Sequence, residues 1–149
     1  SVYENLAYPL RAHTNLGEAT IRGKIHAQLA EFDLEGAEKL MPANLSGGMQ
    51  KRVGLARSII LQPKVVLYDE PTAGLDPHNT IRIQDMILRL KKRGVSSIFV
   101  THDMPSAFAV CDRIALLKDG RIQAIGRREE LESADGTSLM SRFIRGEEL

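Results

Sequence analysis

Three short runs hold residue types suited to phosphate chemistry: Leu45-Ser46-Gly47-Gly48-Met49-Gln50, Val65-Val66-Leu67-Tyr68-Asp69-Glu70, and Thr101-His102-Asp103. The first places a serine and two glycines where an apolar-patterned helix begins. A helix N-terminus presents N–H groups without intrahelical partners and a partial positive charge. Gly47 and Gly48 let a backbone approach an anion closely and Ser46 adds a hydroxyl, so the run describes a phosphate site made of main chain. Taken alone, Ser-Gly-Gly is more often a plain N-cap with a glycine turn. The second run is an apolar strand closed by two acids. Ligands gather at the carboxyl ends of parallel strands, and adjacent strand residues face opposite ways, so the two acids are expected to do different work. Asp69 suits Mg²⁺ held through water, which that ion sheds reluctantly, and Glu70 suits orienting and polarising an attacking water. His102 follows the next strand, where an imidazole can reach a terminal phosphate. By itself such a His is more often a polar loop residue; its order, one crossover after Asp69-Glu70, is what promotes it.

These groups make half of a nucleotide-hydrolysing site. No Gly-x-x-x-x-Gly-Lys-Ser/Thr loop occurs in the 149 residues. Gly17 and Gly23-Lys24 come nearest, but the glycines are one residue too far apart, Ile25 replaces Ser/Thr, and the segment reads as helix. The chain alone is therefore expected not to cradle a triphosphate in the usual way. Its start, Ser1-Val2-Tyr3-Glu4, falls in the middle of a pattern, as expected of a truncated ATPase.

The elements that must position these residues follow from periodicity. Ile21, Ile25, Leu29 and Phe32 recur at helical spacing, with Glu18 one turn before Arg22. Leu34 to Met41 predicts a further short helix stopped by Pro42. Met49 to Leu61, with Met49, Val53, Ala56 and Ile60 on one face, predicts a helix opened by the glycine turn and broken at Gln62-Pro63-Lys64. Val65 to Tyr68 predicts a strand covered on both faces. Asp76-Pro77 is an N-cap followed by Pro at the first helical position. The helix it opens carries Ile83, Met86, Ile87 and Leu90, and ends in Lys91-Lys92-Arg93-Gly94. A strand from Val95 to Val100 and a short helix from Met104 to Val110 follow. Asp119-Gly120 joins Arg113–Leu117 to Arg121–Ile125 as a hairpin. One more short helix is expected from Arg128 to Glu132, then a polar loop and an amphipathic end with Leu139, Met140, Phe143 and Ile144. The βαβ order implies an α/β fold with a mostly parallel sheet.

Composition narrows the class. With 43% apolar and 26% charged residues the chain is ordinary for a globular protein. A net charge of +1 gives no electrostatic case for nucleic acid. Cys111 stands alone, which rules out an internal disulfide, and it reads as packed rather than reactive. No apolar run approaches the roughly 20 residues needed to span a bilayer. His13, His26 and His78 share no metal-ligand spacing and read as surface residues.

In order and spacing these runs resemble the ATP-binding subunit of ABC transporters, over essentially the whole chain. Leu45 to Gln50 looks like the signature motif, with Met49 where Gln is commoner. Val65 to Asp69 resembles the Walker B strand, Glu70 the catalytic carboxylate, Ala73 to Asp76 the D-loop and His102 the switch His. The resemblance implies part of a P-loop NTPase fold: residues 1–50 as a helical signature subdomain and 51–149 as the C-terminal part of a RecA-like core, with the Walker A and Q-loops upstream. It implies ATP and Mg²⁺ as cofactors, and ATP held by one subunit meeting Ser46, Gly47 and Gly48 of another in a head-to-tail homodimer. For Asp76 it adds a link between two sites across that dimer. It also implies a membrane permease as partner. Glu4 to Arg11 and Lys39 to Met49 resemble more narrowly the ATPases of Mla-type phospholipid transporters. Those work with a permease and a lipid-binding periplasmic protein at the cytoplasmic face of the inner membrane. The alternatives are an ABC ATPase serving another solute, and a soluble ABC-type ATPase of DNA repair or translation. The latter usually adds a coiled-coil excursion, for which residues 1–44 leave no room.

Overall fold

The spacing of Ile21, Ile25, Leu29 and Phe32 becomes a buried stripe, each residue no more than 1% exposed. The first three lie on helix α2, Glu18–Glu31, and Phe32 caps it. Helix α1, Val2–His13, precedes it and buries Val2, Leu6, Ala7 and Leu10. The computed structural model describes residues 1–127 together with Glu130, Arg142 and Phe143. By internal contacts the chain divides into two units, Ser1–Val100 and Thr101–Leu149. Glu18 pairs differently from the expectation. Arg11 grips it with two parallel bonds, Nε to Oε1 at 2.7 Å and Nη2 to Oε2 at 2.9 Å. That fork is a better geometry than Arg22 one turn away can offer.

The helix expected from Leu34 to Met41 does not form. Asp33 and Gly36 take left-handed φ of 51° and 79°, which ends α2 and turns the chain. The segment gives its carbonyls to α1 instead: Val2 N–H donates to Leu40 O and Tyr3 N–H to Glu38 O, both at 2.9 Å. Those are donors that a helix start leaves without intrahelical partners. Pro42 opens a short 3-10 helix, Pro42–Asn44, rather than stopping one.

Helix α3 runs Gly47–Ile59. Strand β1, Val65–Asp69, follows, then helix α4, Pro77–Lys92, and strand β2, Ser96–Val100. The strands pair in parallel, from Val65 beside Ser96 to Asp69 beside Val100. All four apolar residues expected on α4 are buried. Strand β1 departs from expectation. Val66 and Tyr68 are buried, but Val65 is 55% and Leu67 73% exposed, and Ile98 and Val100 extend the same open face. One face of the pair is covered, not two.

The second unit contains helix α5, Met104–Val110, and a hairpin of β3, Arg113–Lys118, with β4, Arg121–Arg127. Asp119 and Gly120 turn it with φ of 51° and 72°, the two positive values a type I′ turn needs. The helices expected at 128–132 and around Leu139 to Ile144 fall outside the described residues, save Glu130, Arg142 and Phe143.

Candidate functional site

Ser46 caps α3. Its Oγ accepts from Met49 N–H at 3.3 Å and its carbonyl from Gln50 N–H at 2.9 Å. The N–H groups of Gly47 and Gly48 are the first two of the helix, which the helix itself does not use. The two glycines sit differently. Gly47 is exposed, and a Cβ there would meet nothing within 4 Å. Gly48 is buried against Asn79. Leu45, 7% exposed, anchors the turn, and Met49 is half-buried. Gln50 braces the turn from behind, its Nε2 donating to the carbonyls of Pro42 at 3.1 Å and Leu45 at 3.2 Å. An exposed helix tip with two spare N–H groups and a hydroxyl still able to donate fits a phosphate.

The strand end lies in the same unit. Asp69 is exposed and is the last residue of β1. Glu70 is not a strand residue: its φ is 45°, in the left-handed region. The divergence of the two acids is therefore set by a turn and not by strand pleat. That backbone is pinned by its neighbours. Glu70 N–H donates to Val100 O at 2.9 Å. Glu70 O accepts from Ala73 N–H at 3.3 Å and from Lys51 Nζ at 3.1 Å. A non-glycine residue held left-handed stores on the order of 1–3 kcal/mol, a feature that gathers at functional sites. Lys51 thus ties α3 to the turn after β1. An open depression of about 390 Å³ lies there, its lining including Gly47, Lys51, Asp69 and Gly74. Among the described residues no group of three or more His, Cys, Asp or Glu could hold a metal ion. A single carboxylate still suits Mg²⁺, which is ordinarily bound by one or two carboxylates together with substrate phosphates.

Asp76 is the N-cap of α4. It accepts from Asn79 N–H at 2.9 Å and from the Asn79 amide Nδ2 at 2.6 Å. The backbone N–H first, and then the side-chain amide, hold its carboxyl below the ordinary carboxylate value. His102 is exposed and opens the second unit, between Thr101 and Asp103, whose N–H donates to Thr101 Oγ1 at 3.0 Å. The first unit thus holds the glycine turn, Asp69, Glu70 and Asp76; His102 belongs to the other. His13, His26 and His78 are exposed, and Cys111 is half-buried.

Sequence reasoning passed over Lys51, Arg52 and Asn79. Arg52 had a signal: it falls between Gly48 and Leu55-Ala56 at helical spacing, a charge on the buried face of α3. Asn79, three residues after a capping Asp, is what an extended N-cap would use.

The profile of the family described as ABC transporter matches residues 1–73. The Fe(3+) ions import ATP-binding protein FbpC of Vibrio cholerae is 39% identical over 145 residues, 97% of this chain and 41% of that protein. The intermembrane phospholipid transport system ATP-binding protein MlaF of Escherichia coli K12 is 38% identical over 147 residues, 98% of this chain and 54% of that protein. Residues 1–73 carry that family's profile, and nearly the whole chain is similar to ATP-binding proteins of ABC transporters. The structure of CbiO1 from Clostridium perfringens, part of the ABC transporter complex CbiONQ, matches with a TM-score of 0.79 at 31% identity. That match covers 90% of this chain and 53% of CbiO1, and the α/β fold is that of an ABC ATPase. The chain spans about half the length of the curated relatives it matches. Among the described residues no helix is long and apolar enough to cross a membrane.

Proposed function

We propose that this chain serves ATP binding and hydrolysis in an ABC transporter, contributing a phosphate-facing helix tip and the acids that act on the attacking water. One observation carries the reading. The exposed Gly47 at the tip of α3, Asp69 at the end of β1 and Glu70 in the turn after it lie in one unit, joined by the Lys51–Glu70 bond. Ser46, Gly47 and Gly48 would take the terminal phosphate of ATP held by the lysine loop of a second, complete subunit in a head-to-tail, isologous dimer. Asp69 would hold Mg²⁺ through water, and that ion would supply positive charge against the phosphates. Glu70 would orient and accept a proton from water, and His102 would contact the terminal phosphate. Asp76 would link the two sites besides capping α4. The helical residues 1–50 would carry the stroke to a permease at the cytoplasmic face of the inner membrane, and 51–149 would hold the reacting groups.

Identity to the named relatives does not choose a cargo, since the iron and phospholipid proteins lie within one percentage point of each other. The likeness of residues 4–11 and 39–49 to Mla-type ATPases favours phospholipid, with a lipid-binding periplasmic partner. Ferric ion or another small solute is the second reading.

The test is Gly47→Asp in the complete ATP-binding subunit, reconstituted with its permease in liposomes. Nothing stands in the way of the new side chain, and an acid in a first helical turn favours the helix dipole. Folding should be unchanged. A carboxylate at an oxyanion site should lower ATP turnover at least about tenfold. Unchanged turnover would remove the helix tip from the phosphate. In the wild type, turnover that follows phospholipid movement supports the lipid reading, and turnover answering only to ferric ion or another solute replaces it.

A further inference from the structure

We infer that Asn79 is a positioning residue that sets the pose of the α3 tip, and that Gly48 lacks a side chain to admit Asn79 rather than a ligand. The first half rests on the function proposed above; the second stands on packing alone.

A Cβ on Gly48 would lie 2.5 Å from Asn79 Oδ1, 2.7 Å from its Cγ and 3.1 Å from its Nδ2. Real Cβ contacts do not come so near, so the Asn79 amide would have to swing away from the bonds that hold it. Gly48 has no positive φ, so backbone conformation does not demand a glycine there. Gly47, one residue earlier, has open space. Two adjacent glycines therefore answer to different constraints, and only the second is explained inside this chain.

Both ends of the Asn79 amide are engaged. Nδ2 donates to Asp76 Oδ2 at 2.6 Å, and Oδ1 accepts from Arg52 Nη1 at 3.1 Å. Asn79 N–H meanwhile donates to Asp76 Oδ1 at 2.9 Å. Arg52 is 6% exposed, on the turn of α3 that follows the glycines. Its Nε is buried without a hydrogen-bond partner. An already under-satisfied guanidinium makes the bond to Asn79 costly to lose. One amide thus holds the cap of α4, a buried cation of α3 and the surface of Gly48. Asparagine alone suits this place, offering a donor and an acceptor on a short stem. Aspartate would set a second carboxylate against Asp76, and alanine would leave Arg52 unmatched. Asn79 touches no phosphate. It acts through the helix whose first turn presents Ser46 and Gly47.

The experiment is a four-member set in the complete ATP-binding subunit: wild type, Gly48→Ala, Asn79→Ala and the double variant. Each is read by chemical unfolding and by ATP turnover. Asn79→Ala keeps the backbone N–H that Asp76 accepts, so α4 keeps its cap. Gly48→Ala should shift the folding equilibrium about tenfold or more toward the unfolded state, the usual scale of overpacking. In the Asn79→Ala background the same substitution should shift it less than about threefold, because the clash is gone. An equal penalty in both backgrounds, or a double variant that does not fold, overturns the pairing. For positioning, Asn79→Ala should lower kcat about tenfold with the KM for ATP within about twofold, the mark of an interaction realised beyond the ground state. A raised KM at unchanged kcat, or no change in either, overturns that half. A wild-type subunit that does not hydrolyse ATP would sink the proposed function instead, and the unfolding cycle would still decide the Gly48–Asn79 pairing.

Discussion

Helix α4 and strand β1 stand close in sequence and carry similarly apolar side chains, yet their burial differs. On α4, Ile83, Met86, Ile87 and Leu90 are 2–3% exposed. On β1, Val66 and Tyr68 are buried while Val65 and Leu67 lie more than half exposed. A helix with a 3.6-residue period needs cover on one face only, and the packing of the first unit supplies it. A continuously apolar parallel strand needs cover on two. The sequence of β1 is written for a layer on the face that the described residues leave open.

The largest effect that sharpens this contrast is in the α4 stripe. Met86→Ala should destabilise the chain by about 2–5 kcal/mol, whereas Leu67→Ala should change it by no more than about 0.5 kcal/mol, both measured by urea unfolding. A Leu67→Ala penalty as large as that of Met86→Ala would mean that the open face is covered in solution, and the comparison would fail.

A smaller effect lies at the start of α4. The folded-state pKa of Asp76 is depressed by the Asn79 N–H and amide. A depressed carboxyl stabilises the fold above its ordinary unfolded value, and that contribution is lost as pH falls through the folded value. The urea midpoint should therefore decline below the ordinary carboxylate range, and Asp76→Asn should flatten the decline. An unaltered acid limb in Asp76→Asn would place the sensitivity elsewhere.

What was legible in the sequence was local. The stripe of α2, the Asp76-Pro77 start of α4, the span of α5 and the Asp119-Gly120 hairpin each depend on neighbours within a few residues, and each formed as expected. What escaped depended on distant partners. Residues 34–41 turn because α1, over 30 positions earlier, takes their carbonyls. Glu18 meets Arg11 rather than Arg22 because α1 and α2 pack side by side and bring the fork to it. The left-handed Glu70 is held by Val100 and Lys51, neither adjacent in sequence. The candidate site divides the same way. Its glycines and acids show in their types and spacing, but the different duties of Gly47 and Gly48 appear only once Asn79 is seen against the second.

Turnover of the complete subunit carrying Glu70→Gln tests the central claim most directly. The substitution keeps size and one acceptor oxygen while removing the carboxylate that would take a proton from water. ATP binding should persist, and phosphate release should slow about a hundredfold or more, the scale of a lost general base. Phosphate release at the wild-type rate would show that Glu70 does not act on the attacking water.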